Sequence, residues 1–221
     1  MISPRAVLAD LLWPRWCVGC DAPGVIWCRD CDGRVREHFG PRIPPTRAER
    51  TELDLWSFGD YDGALRRFVL AAKHDDHLDM GSHLARLGHT AGRELARSGW
   101  APRWVVPAPS QWHRRVRRHW VAHPFADGIA RGLADSAVRP IASIDVLRLP
   151  WAAPRQAGRT ASERARSRDG LMRVVEPLDG EALVVDDVAT TGATLAEAAR
   201  VLRESGTQVR GGIVLANVER R

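Results

Sequence analysis

The stretch from Leu183 to Leu195, Leu-Val-Val-Asp-Asp-Val-Ala-Thr-Thr-Gly-Ala-Thr-Leu, joins an apolar run, two adjacent carboxylates and a small, hydroxyl-rich turn that opens a helix. At the carboxyl end of a parallel strand, side chains enter the crevice where open α/β sheets hold ligands. Asp186 and Asp187 can there accept hydrogen bonds from a ribose diol or from water on Mg²⁺. Val188 and Ala189 lead into Thr190, Thr191, Gly192, Ala193 and Thr194, which offer backbone N–H groups and hydroxyls at a helix N-terminus, where the dipole favours a phosphate. Gly192 lets the backbone approach a ligand closely. A plainer reading makes Thr190 or Thr191 a helix cap and the acids a solvated strand end. The direct joining of both acids to the strand and to Thr-Thr-Gly-Ala-Thr favours the ligand site.

The four cysteines form a second constellation. Cys17 and Cys20 make one Cys-x-x-Cys pair and Cys28 and Cys31 another, with seven residues between the pairs. Each pair can form a tight knuckle, and the short connection lets both face one tetrahedral Zn²⁺. A closed four-thiolate shell leaves no position for water, so such an ion would be structural. Two disulfides or an iron–sulfur cluster are the alternatives; a cytoplasmic location argues against the disulfides.

The elements that must position these groups follow from periodicity. A chain of 221 residues with 44% hydrophobic content suits one α/β domain with a small appendage. Residues through about 50 carry all the cysteines, turn-forming Gly and Pro, and little periodicity, and read as a separate module. From 51 onward, apolar Leu55 to Tyr61 precedes helical runs at Ala64 to His74 and Ser82 to Arg97. Strand Trp104 to Val106 stops at Pro107-Ala108-Pro109, and Pro124 to Ala134 reads as a helix. Ile141 to Leu149 and Ala182 to Val185 read as strands, Thr194 to Ser205 as a helix and Val209 to Val218 as a final strand. The alternation predicts a mainly parallel sheet with helices on both faces.

The formal charge of +6 is patchy. Arg103 to His123 holds Arg103, Arg114, Arg115, Arg117 and Arg118 without an acid, and Arg155 to Arg173 is similarly arginine-rich. Such patches suit phosphates or nucleic acid, or are simply solvated surface. The run Met1 to Trp13 is broken by Arg5 and Asp10, so it reads neither as a secretory signal nor as a span; no membrane insertion and a cytoplasmic location are expected.

A four-cysteine knuckle joined to this acidic phosphate loop resembles the ComF family of competence-associated, amidophosphoribosyltransferase-like proteins, within the type I phosphoribosyltransferases. Nearly the whole chain takes part in the resemblance. Tyr61 to Lys73 is similar to the family's strand-helix segment ending in lysine, and Val105 to Pro109 to its Val-Pro-Val-Pro loop. Arg155-Gln156 and Glu163-Arg164 are similar to Gln and Glu-Arg positions in a mobile segment.

The resemblance implies that Asp186 and Asp187 hold the ribose hydroxyls of 5-phosphoribosyl-1-pyrophosphate (PRPP) and that Thr190 to Thr194 hold its 5-phosphate. It also implies that Pro107, Ala108, Pro109 and Ser110, with Arg118, Arg155 and Arg164, lie toward pyrophosphate. The sequence departs from the family at Arg118-His119-Trp120-Val121-Ala122-His123. There the family's Arg-Gly-Phe-Asn-Gln or Arg-Gly-Phe-Asp-His loses its glycine, and His123 matches only after a one-residue shift.

Lys73 can meet pyrophosphate as a point charge or cap its helix. His74 and His77 beside Asp75, Asp76 and Asp79 suggest a second metal site or, more simply, a polar turn. The activity expected is Mg²⁺-dependent transfer of a phosphoribosyl group to a nitrogen nucleophile. The alternative is an accessory protein of DNA uptake that binds PRPP or single-stranded DNA without turnover, with Trp112 and Trp120 among arginines as stacking platforms. Trp151 to Arg173, with Pro154, Gly158 and Gly170, is expected to be a mobile flap.

Overall fold

The computed structural model describes residues 15–42, 53–75, 78–109, 121–149 and 172–218. Along them run α1 (Arg29–Glu37), β1 (Gly40–Arg42), β2 (Asp54–Ser57), α2 (Gly63–His74), α3 (Gly81–Arg97), β3 (Trp104–Pro107) and α4 (Ala122–Ala134). There follow β4 (Ala142–Ser143), β5 (Leu147–Arg148), β6 (Arg173–Val174), β7 (Glu181–Ala189), α5 (Ala193–Glu204) and β8 (Gln208–Asn217).

Six strands form one sheet in the order β1-β2-β8-β7-β3-β4. Every pairing from β2 to β4 is parallel, and only β1 joins antiparallel, on β2. Apolar runs without alternation suit strands buried on both faces, and Leu183, Val184, Val185, Ile213, Val214 and Leu215 are fully buried. Leu183, Val185, Ile213 and Leu215 pack with α2, α3 and α4 on one face. Ala182, Val184 and Val214 pack with α5 and the β5–β6 hairpin on the other. The molecule is therefore the α/β fold that the sequence predicts, with helices on both faces of a mainly parallel sheet. Among the described residues no helix is long and apolar enough to cross a membrane.

Helices α3 and α4 touch backbone to backbone. A Cβ at Gly88 or Gly92 would stand 2.2 Å from the carbonyl oxygen of Phe125 or Ile129. One at Gly128 or Gly132 would stand 2.1 Å from that of Ala85 or His89. Residues four apart share a helix face, so two glycines on each helix clear one continuous seam.

Several elements differ from expectation. The cysteine segment contains α1, which sequence periodicity does not reveal because only Cys31 and Val35 of its nine residues are buried. The expected strand Ile141 to Leu149 divides: β4 extends the main sheet, whereas β5 turns away to pair with β6. Leu55 to Tyr61 leaves the sheet after Ser57. The expected module boundary falls in residues 43–52, outside the described residues. On either side of it, Cys17, Trp27, Cys31 and Val35 share one apolar cluster with Phe58, Phe68 and Leu84.

Candidate functional site

Strand β7 runs past the expected Val185 to Ala189, so both acids lie inside the strand and not beyond its end. The cause is its partner. β8 keeps pairing through Asp186↔Val214, Val188↔Ala216 and Ala189↔Asn217. On the other side the β3 ladder stops at Pro107↔Val185, with the Ala108 N–H donating to the Val185 carbonyl at 2.7 Å. Prolines at 107 and 109 supply no N–H to extend it. β7 thus outruns β3, and the acid pair borders a step at the carboxyl end of the sheet, beside Pro107, Ala108 and Pro109. This is where parallel α/β sheets hold ligands.

Successive strand residues point to opposite faces. Asp187 continues the side of Leu183 and Val185, toward α2, and its Oδ1 lies 2.8 Å from Nζ of Lys73. Both side chains are mostly buried, at 14% and 18% exposure, which reduces the solvent screening that weakens surface ion pairs. Asp186 continues the side of Ala182 and Val184, toward α5, and its Oδ1 accepts the Asp187 N–H at 2.8 Å. Lys73 therefore belongs to the acid site as well as to the last turn of its helix.

The turn after β7 brings Thr190 and Thr191 to Gly192, the N-cap of α5. Gly192 has φ of +71°, in the left-handed region that side chains disfavour, so glycine is required here for shape. Neither threonine occupies the cap position. Thr191 Oγ1 accepts the Ala193 N–H at 3.4 Å, a long bond that leaves the first turn of α5 facing the strand end with Thr194 in it.

His123 and Asp145 form a further pair that sequence reasoning did not bring together. His123 is the second residue of α4, and its Nε2 lies 3.4 Å from Oδ2 of Asp145, while Arg148 Nη1 is 2.7 Å from Oδ1. The Ile144 N–H donates to the Val105 carbonyl, so Asp145 lies at the same end of the sheet as Pro107. An acid directly after a short apolar run, the rule that singles out Asp186, was the available signal.

The cysteines converge. The Sγ atoms of Cys17, Cys20, Cys28 and Cys31 all lie within 4.8 Å of one another, with Cys17 and Cys31 at 3.9 Å and Cys20 and Cys28 at 3.6 Å. A tetrahedron with metal–sulfur bonds of about 2.3 Å has edges of about 3.8 Å, so this set fits a metal ion such as zinc. Cys28 is the N-cap of α1, and its sulfur accepts the Cys31 N–H. Burial pushes the Cys17 thiol up, but backbone N–H groups of Cys28, Gly19 and Cys20 outweigh it and bring it down to about 7. Burial and the neighbouring sulfurs push Cys31 up. A cation among these sulfurs would favour their ionised form. At Gly19 a Cβ would stand 2.7 Å from both Cys31 Sγ and the Trp27 ring, so the knuckle closes only around a glycine.

Ser110, Arg114, Arg115, Arg117, Arg118, Trp112 and Trp120 lie outside the described residues. So do Arg155, Arg164 and the rest of the expected flap through 171, and Asp76 and His77 of the polar turn. Of that turn, Asp79 Oδ1 accepts the Gly81 N–H; the cysteine set is the metal-ligand group among the described residues.

No family model and no curated protein matches the chain. Among solved structures it is similar to the UMP synthase of Leishmania donovani, at 17% identity over 69% of this chain and 24% of that one, with a TM-score of 0.36. It is similar to the allosteric regulatory enzyme of purine biosynthesis at 20% identity, over 59% of this chain and 25% of that one, with a TM-score of 0.36. A phosphoribosyltransferase from Corynebacterium diphtheriae is 19% identical over 84% of this chain and 78% of that one, with a TM-score of 0.38. The chain spans about a quarter of the length of the first two.

Proposed function

We propose that the carboxyl end of β7 and β3 binds PRPP with Mg²⁺ and transfers its phosphoribosyl group to a nitrogen nucleophile, releasing pyrophosphate. The observation that carries this reading is the sequence of groups along one strand end: Asp186 and Asp187 on β7, then the Gly192-led first turn of α5. Carboxylates suit a ribose diol, and a helix N-terminus one short turn away suits the 5-phosphate. Lys73, 2.8 Å from Asp187, and the Pro107 to Pro109 loop beside Val185 border the same strand end, which supports a reading in which they meet the pyrophosphate on C1.

In the transfer, a bond forms between nitrogen and C1 as the bond from C1 to the pyrophosphate oxygen breaks, and the nucleophile's proton passes to solvent. The acid pair holds the ribose while positive charge develops at C1, and Lys73 stabilises charge on the departing group. Mg²⁺, when bound, supplies further charge neutralisation on pyrophosphate. Cys17, Cys20, Cys28 and Cys31 would hold zinc in a structural role, because four thiolates would complete its shell.

PRPP with Mg²⁺ is expected to raise the melting temperature, by mass action, and Asp186→Asn with Asp187→Asn to abolish most of that rise. Differential scanning fluorimetry of the folded double variant checks this. A rise equal to that of the parent chain would remove the acids from the site. Labelled PRPP presented with a panel of bases and amines, scored for pyrophosphate release, tests turnover.

A further inference from the structure

We infer that Trp27 and Phe68 are positioning residues for the acid site: through their contact the metal-loaded cysteine knuckle sets where Lys73 meets Asp187. The inference rests on the PRPP reading for one of its two tests and stands on geometry alone for the other.

The path is short, and Trp27, Phe68 and Val69 along it are buried. Trp27 immediately precedes the metal ligand Cys28, and the close approach at Gly19 places the Trp27 ring against the loop that also carries Cys17 and Cys20. Its Nε1 donates to Asp32 Oδ1 at 3.1 Å, which fixes the indole to α1, the helix that carries Cys31. The other side of the ring meets Phe68 of α2, with centroids 4.7 Å apart and planes inclined at 57°. Phe68 and Val69 are fully buried, in the same apolar cluster as Cys17 and Cys31.

Lys73 lies five residues farther along α2, about 7.5 Å by helical rise. A hydrogen-bonded helix transmits displacement over that distance, and the ion pair at its far end is the contact that displacement alters. A second link, Arg67 to Asp21 at 3.1 Å, is exposed and adds little. Four thiolates held by one ion keep the Trp27 loop closed. Without the ion the links between the two pairs are hydrogen bonds such as the Val18 N–H to the Ile26 carbonyl and the Cys28 N–H to Cys17 Sγ, and the platform under Phe68 is expected to loosen.

The first test is a comparison in two backgrounds. Trp27→Ala is expected to weaken binding of PRPP–Mg²⁺, read by calorimetry, by about 5- to 20-fold in the otherwise unchanged chain. In Lys73→Met, where the relayed contact is already gone, the same change is expected to weaken it by less than about twofold. Zinc content is measured throughout and is expected to stay near one per chain. Equal losses in both backgrounds would mean that Trp27 acts on stability in general and would overturn the inference.

The second test needs no PRPP. In Trp27→Ala, amides of the last turn of α2, from Val69 to Asp75, are expected to exchange faster while those of Leu183 to Val185 keep their protection. Unchanged exchange at 69–75 would overturn the inference even if PRPP binds. Faster exchange, in a protein whose parent chain does not bind PRPP, would sustain the relay and reject the ligand. Should Trp27→Ala fail to fold, Phe68→Leu keeps most of the apolar volume but removes the ring contact, and is read the same way.

Discussion

The cysteine knuckle and the acid site are built by opposite strategies. All four sulfurs come from fifteen consecutive residues, Cys17 to Cys31, and local turns bring them together: the Cys17 N–H to the Ala22 carbonyl, the Asp21 N–H to the Cys17 carbonyl, and the cap of α1. The acid site gathers Lys73, Pro107 to Pro109, and Asp186 to Thr194 from three widely separated segments, and only the packed sheet brings them into contact. A local site carries its geometry in its spacing; an assembled site depends on every layer beneath it.

Metal removal should have the largest effect on the knuckle. Cys31→Ser, or chelation of the parent chain, is expected to lower the melting temperature by roughly 10 °C or more, because binding free energy at such sites is folding free energy. Metal analysis of protein purified without added zinc should give about one ion per chain. A mass showing two disulfides, with no metal, would reassign the knuckle. Because Cys17, Trp27 and Cys31 share a cluster with Phe68, the loss is expected to extend to α2, beyond the local turns.

The assembled region should respond to a change that leaves the knuckle alone. Gly92→Ala places a Cβ 2.2 Å from the Ile129 carbonyl oxygen in a seam formed by two backbones, so the helices must separate. The expected cost is about 1–3 kcal/mol of stability, read by denaturant unfolding, with zinc stoichiometry unchanged. Loss of zinc together with stability would show that the two regions are not separable in this way.

The contrast also explains what the sequence made legible. Cysteine spacing foretold a metal-ligand cluster because the relevant contacts are local. Apolar runs at Trp104 to Val106, Ala182 to Val185 and Val209 to Val218 foretold buried parallel strands because both faces of each must be covered. The Lys73–Asp187 pair was not legible, since it joins positions 114 residues apart through a helix that is placed by tertiary packing, the Trp27–Phe68 contact included. Nor was the length of β7: its pairing past Val185 is decided by β8, and Asp-Asp is a poor strand signal in isolation. α1 escaped because so little of it is buried, and the division of Ile141 to Leu149 depends on where β6 offers a partner.

The smallest expected effect lies on the seam between the two regions. His83, on α3, has its proton affinity lowered by burial and then by the adjacent Arg86 guanidinium, against weaker opposing pulls from Asp32 and Asp79. Arg86 Nη2 lies 3.0 Å from His83 Nδ1 and 3.7 Å from Asp32 Oδ1 on α1. A guanidinium only donates, so the contact with Nδ1 requires that nitrogen to be unprotonated. The native state therefore binds the His83 proton less readily than the unfolded chain does. Its contribution to stability is fully present above the ordinary histidine range, near pH 6.5, and is lost as pH falls through the lowered native value. His83→Gln retains an acceptor for Arg86 at every pH. The variant is expected to show a shallower loss of stability than the parent chain between pH 7 and pH 5, by no more than about half a kcal/mol at this partly exposed position, read by denaturant unfolding at each pH. Identical pH profiles would mean that Arg86 does not read the charge of His83.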